Sequence, residues 1–180
     1  MLQTTTTSAF GRRAVTRAQI QAQIAVTEAL ERPRPEQGGA HKWTLLRTLS
    51  EIREGLGVSD RALSVLSALL SFHPETALTV DADLIVFPSN RALSLRCNGM
   101  SEPTLRRHLA ALVEAGLIIR RDSPNGKRFA RRGEAGDEAA QAFGFDLAPL
   151  PARATEFEAR LDELRHEQRR TRLLKERVNL

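Results

Sequence analysis

The 180-residue chain carries 27 Lys and Arg against 22 Asp and Glu, a net charge of +5, with 41% apolar and 27% charged residues. That balance excludes a disordered chain and allows one core with an appended helix. No run of 18 apolar residues exists, and the start MLQTTTTSAFGRR lacks an apolar signal core, so a soluble, unexported protein without a membrane partner is expected; the single cysteine, Cys97, excludes an internal disulfide and fits a reducing cytoplasm.

Residues 1–15 read as a flexible arm, a threonine run followed by Phe10-Gly11-Arg12-Arg13. From Thr16 the pattern turns helical through Ile20, Ile24, Ala25, Val26 and Leu30, and the prolines and glycines of 31–39 end it. Lys42 to Glu54 is a second amphipathic helix with Trp43, Leu46, Leu49 and Ile52 recurring at steps of three, which assigns Trp43 to the core. Ser59-Asp60 supplies capping chemistry for a third helix. Its Leu63, Val65, Leu66, Leu69 and Leu70 leave little polar face, so it belongs at the buried centre. Leu84 to Phe87 reads as a short strand paired with a later hairpin.

Ser89 then caps a helix over 90–97, and Asn98-Gly99 is the strongest turn signal in the chain. Ser101 caps the next helix, whose early Pro103 is tolerated because first-turn amides have no intrahelical partner, and Gly116 closes it. Leu117–Arg121 and Lys127–Arg131 flank Ser123-Pro124-Asn125-Gly126, the chemistry of a hairpin turn. Residues 133–142 read as a mobile loop. Beyond Pro149 and Pro151 a charged helix runs to the end, acidic first and basic last, as its dipole favours. Its apolar seam is broken by Gln168 and Thr171, which weakens a coiled-coil reading.

The expected fold is therefore mostly α: a winged helix-turn-helix with a small β-hairpin wing, extra N-terminal helices and a long C-terminal helix. The expected division is a 1–15 arm, a 16–150 DNA-binding domain with an N-terminal helical extension, and a 151–180 charged helix.

Charge placement points to the ligand. Residues 101–132 hold eight Lys/Arg against three acids, and residues 1–47 hold seven against three, whereas the remaining blocks are each net negative. Two concentrated basic blocks are the footprint of a phosphate-binding surface. On a 100° wheel, Leu105, Leu109, Leu112 and Val113 gather on the core side of the second helix, with Thr104, Arg107, Ala111 and Glu114 opposite and Arg106 and His108 at the edges. Ser101, Thr104 and Arg107, with Arg106 and His108 beside them, are the candidates for base edges. Ser89, Asn90 and Arg91 are candidates for one phosphate at a helix start. The hairpin adds Arg121, Asn125, Lys127, Arg128 and Arg131, with Arg120 and Arg132 close by. No catalytic, metal or cofactor site is expected: the four histidines lack ligand spacing, one cysteine cannot build a zinc site, and there is no phosphate-binding GxxxxGK[ST] loop.

The stretches FGRR at 10–13, HKWTLL at 41–46, GVSDRALSVLSALLSFHPE at 57–75, IVFPSNRALSLRCNGMSEPTLRRHLAALVEAGLIIRRDSPNGKRFARR at 85–132 and AFGFDLAPL at 142–150 resemble the RepC family, the replication initiators of repABC-type plasmids in alphaproteobacteria. The resemblance implies recognition of a plasmid origin that lies inside the protein's own gene, initiation of replication with host replication proteins, plasmid copy control, and a second C-terminal domain. It also gives Arg12 and Arg13 a role as an arm reaching a neighbouring groove. The residues alone leave two other readings open: a transcriptional regulator using the same winged helix on an operator, with self-association, or an assembly module whose basic hairpin meets an acidic protein.

Overall fold

A computed structural model describes residues 15–31, 39–121 and 144–178, and its centre is the helix α3 (Asp60–Phe72). Around it lie α1 (Arg17–Glu31), α2 (Lys42–Leu56), α4 (Asn90–Arg96), α5 (Glu102–Glu114), α6 (Pro149–Ala152) and α7 (Ala154–Val178). The strands are short: β1 (Ala40–His41), β2 (Ala77–Leu78), β3 (Ile85–Val86), β4 (Ile119–Arg121) and β5 (Gly144–Asp146). The described fold is thus mostly helical with small antiparallel sheets. No helix among the described residues is long and apolar enough to cross a membrane.

α3 forms where its caps and apolar density dictate. The Ser59 hydroxyl accepts from the Ala62 amide at 3.2 Å, and Ala62, Leu63, Val65, Leu66, Ala68, Leu69 and Leu70 are all buried. Burying each leucine stabilises the fold by about 1.5–3 kcal/mol relative to exposure, so a helix apolar on nearly every side settles at the middle. α2, α4 and α5 pack against it, and α7 lies across α2.

α2 is rotated from the expected face. The buried set is Lys42, Leu45, Thr48, Leu49 and Ile52, while Trp43 is 39% exposed. Steps of three drift around a helix of 3.6 residues per turn, so Trp43 and Ile52 do not share a stripe. Lys42 replaces Trp43 inside because its ammonium has work there. Its Nζ donates to the Leu70 carbonyl at 3.2 Å and the His73 carbonyl at 2.7 Å, satisfying the C-terminal end of α3. α1 is corrected in the same way: Ala22 and Val26 are buried, whereas Ile20 and Ile24 are half exposed.

The three-stranded sheet has the order β3-β5-β4, antiparallel throughout, with Val86 opposite Phe145 and Arg120 opposite Phe145. β3 is the anticipated strand. β4 pairs with Gly144–Asp146, a strand the sequence reading did not assign; the expected partner Lys127–Arg131 lies outside the described residues. Glycine suits the first position of β5, since a Cβ at 144 would sit 2.2 Å from the Val86 carbonyl oxygen. The Asn125-Gly126 turn also lies outside the described residues. The β1–β2 ladder has no counterpart in the expected elements, because two-residue strands carry no usable periodicity.

Several contacts converge on the end of α5. Gly116 has φ +65°, and its amide donates to the Val113 carbonyl at 3.0 Å while that of Leu117 donates to Leu112 at 3.0 Å. A Cβ at 116 would lie 2.3 Å from the Ala18 carbonyl oxygen of α1. Thr16 Oγ1 donates to the Glu114 carbonyl at 2.7 Å. Arg153, only 3% exposed, donates through Nη1 to the Gly116 carbonyl at 2.8 Å and is gripped by Glu156 at 2.8 and 3.0 Å. That guanidinium holds the Glu156 carboxyl below its usual range, chiefly by hydrogen bonding.

Gly116→Ala should destabilise the protein by at least about 1–2 kcal/mol from the left-handed backbone alone, with α1 displaced in addition; chemical denaturation checks this, and an unchanged midpoint would contradict the packing described. Arg153→Met should lower stability by about 2–3 kcal/mol, the loss expected when charge-assisted bonds to a buried carbonyl go unmade.

His73 supplies a pH prediction. It is buried, its Nε2 finds no hydrogen-bond partner among the described residues, and burial followed by the nearby Lys42 ammonium lowers its pKa. The unfolded chain therefore binds a proton that the folded site refuses, so stability falls as pH drops below about 6.5. The fall between pH 7 and pH 5 should be smaller in His73→Leu than in the unsubstituted protein, as followed by denaturant midpoint.

Candidate nucleic-acid interface

α4 and α5 meet at a five-residue joint that the sequence dictates. Cys97 closes α4, its amide donating to the Leu93 carbonyl at 2.9 Å, and Asn98 and Gly99 both take positive φ, 55° and 75°. Asparagine and glycine are the residues that tolerate this region. The Ser94 hydroxyl reaches across the joint to the Met100 carbonyl at 2.8 Å. Leu93 of α4 and Leu105 of α5 are both fully buried, so the two helices share one anchorage.

α5 turns the expected face inward. Leu105, Leu109 and Leu112 are buried and Val113 is half-buried. Ser101, Arg106, Arg107 and Glu114 are exposed; Thr104, His108 and Ala111 are half-buried. Ser101 occupies the capping position without capping: its hydroxyl donates to Thr104 Oγ1 at 2.9 Å instead. Pro103 at the second helical position has no amide to offer, which removes one of the two usual donors to such a cap. Thr104 Oγ1 also accepts from Arg107 Nη2 at 3.2 Å. Both oxygen lone pairs are engaged, and the threonine proton is left to donate outward.

A second set of contacts joins the two helices. Glu102 Oε1 accepts from Asn90 Nδ2 at 2.6 Å and lies 3.3 Å from Arg106 Nη2. At the start of α4, the Ser89 hydroxyl accepts from the Ala92 amide at 3.1 Å, and Arg91 is exposed. Burial, then Arg107 and Arg61, push the His108 pKa down, so its surroundings disfavour the charged ring. Eight of the expected residues thus lie at the start of α4 (Ser89, Asn90 and Arg91), at the end of the joint (Ser101) and in the first two turns of α5 (Thr104, Arg106, Arg107 and His108).

Arg121 is placed differently. Its Nη2 donates to Asp146 Oδ2 at 2.9 Å, and the other carboxylate oxygen accepts from the Ala148 amide at 2.9 Å. The guanidinium ties β4 to β5, although the side chain remains 46% exposed. Asn125, Lys127, Arg128, Arg131, Arg12 and Arg13 lie outside the described residues. Glu102 is the member of the cluster that sequence reasoning passed over. Its signal was its position, one residue after Ser101 and four before Arg106. Among the described residues no group of three or more His, Cys, Asp or Glu is arranged to hold a metal ion.

Comparison with known proteins follows the same stretch of chain. The family model described as the replication protein C N-terminal domain matches residues 13–180. A "Putative replication protein C" of Sinorhizobium fredii (strain NBRC 101917 / NGR234) is 49% identical over 174 residues, covering 97% of this chain and 42% of the relative. One from Rhizobium rhizogenes is 47% identical over 182 residues, covering 100% of this chain and 43% of the relative. The chain therefore spans less than half the length of these curated relatives. No solved structure matches it. By the extent of both matches, the chain belongs to the replication protein C family, carrying its N-terminal domain.

Proposed function

We propose that these residues bind double-stranded DNA sequence-specifically at a plasmid replication origin, through a winged helix-turn-helix, and so start plasmid replication in the bacterial cytoplasm with host replication proteins. The observation that carries the reading is the outer face of α5. Arg106 and Arg107 stand exposed beside Thr104, while Leu105, Leu109 and Leu112 lock the opposite face into the core. A helix held this rigidly can present its first turns to a major groove.

The arrangement of elements supports the same reading. After α3 and the two-residue β2, the described elements β3, α4, α5, β4 and β5 come in the order of a winged helix, with β5 central in their sheet. Arg107 is aimed at guanine O6 and N7, which accept two parallel donors, and the Thr104 methyl suits a thymine. Thr104 and Ser101 hold Arg107 over the first turn before DNA arrives, which lowers the ordering cost of binding. Arg91 and Arg106 are placed for phosphates, which fix register without carrying sequence information. The residues bind and orient DNA on this reading; they catalyse nothing and need no cofactor. Family membership supports the replication role, and the whole protein's initiation activity is proposed on that basis.

Duplexes tiling the coding sequence of the full protein, and scrambled controls, test this by fluorescence anisotropy. One segment should bind roughly 10³-fold tighter than its scrambled form, with log K falling against log salt at a slope of about −5 if six phosphates are engaged. Equal affinity for both would overturn sequence recognition. Arg107→Ala should cost about 1–3 kcal/mol on that segment and much less on scrambled DNA.

A further inference from the structure

A carboxylate stands among the cations at the start of α5. Glu102 is the first residue of that helix, its side chain is 52% exposed, and its Oε1 is shared by Asn90 Nδ2 at 2.6 Å and Arg106 Nη2 at 3.3 Å. The helix dipole favours an acid in the first turn. That accounts for an acid there, but not for one joined to two of the side chains best placed to meet DNA.

We infer that Glu102 is a specificity-determining residue for the DNA recognition proposed above, on which this inference rests. The carboxylate opposes every duplex in the same way. It repels phosphates, and it occupies the Arg106 guanidinium that a phosphate would otherwise take. The opposition is relieved only where the groove presents an exocyclic amine, above all cytosine N4, which donates to a carboxylate. Its tie to Asn90 sets the direction of the carboxylate between α4 and α5 before DNA arrives. Sequences lacking the amine meet an uncompensated negative charge, which is discrimination by repulsion as much as by attraction.

Glu102→Gln keeps the size and an acceptor but removes the charge. On the two duplexes used above, at physiological salt, scrambled DNA should bind about tenfold tighter, and the origin segment should change by less than about threefold. The ratio between them therefore falls. Glu102→Asp keeps the charge but withdraws the acceptor by one methylene, so the origin segment should weaken while scrambled DNA does not gain. Melting temperatures of both variants confirm that the helix start is intact. A ratio unchanged within twofold in Glu102→Gln, whether both affinities rise or neither moves, overturns the inference and leaves Glu102 as a helix-end charge. If the unsubstituted protein itself binds both duplexes equally or not at all, the DNA-recognition reading fails instead, and the inference falls with it.

Discussion

The position of α5 depends on how its C-terminal carbonyls are satisfied. Four carbonyls at the end of any helix lack intrahelical partners, and here α1 packs against part of that end. Gly116 makes the packing possible, because its φ of +65° turns the chain and its missing side chain lets the Ala18 backbone approach. Arg153 then supplies donors there. Its guanidinium is nearly sealed from water, yet it is compensated on both sides, by the Gly116 carbonyl and the Glu156 carboxylate. The outer face of α5 is aimed by what happens at the opposite end of the same helix.

Lys42 does for α3 what Arg153 does for α5. Both are cations withdrawn from the surface to serve helix C-terminal carbonyls, a position the dipole favours for positive charge. Arg53 donates to the Ser50 carbonyl and pairs with Asp60, and Arg121 serves Asp146. Among the described residues the cations are thus split between structural ones inside and at the joints, and those left outward on α4, α5 and α7. A net charge of +5 says nothing about that division.

What was legible in the sequence follows from periodicity and punctuation. Five leucines and valines in eight residues placed α3 at the centre, and Leu105, Leu109 and Leu112 set the inner face of α5. Asn98-Gly99 fixed the joint between α4 and α5 because few residues accept two consecutive positive φ values. Trp43 misled, since a three-residue step was taken for a helix stripe. Lys42 and Arg153 were invisible for a deeper reason: a buried cation is justified by carbonyls 28 and 37 residues away in sequence. The strand Gly144–Asp146 was missed because three residues carry no pattern, while the Asn-Gly nearer to β4 carried a strong one.

The contacts on the outer face of α5 are of another kind from those beneath it. Underneath, burial and carbonyl capping leave α5 one arrangement. On the outside, Ser101, Thr104 and Arg107 form one short chain of bonds, and Asn90, Glu102 and Arg106 form another, each exposed and weak by the standard of surface pairs. Such bonds set the directions of side chains without committing them. A guanidinium that exchanges a threonine oxygen or a carboxylate for a DNA acceptor gives up little, whereas a free arginine would have to lose its rotamer freedom at the moment of contact. A rigid helix with reversible partners on its surface is therefore suited to compare many duplexes and remain on few.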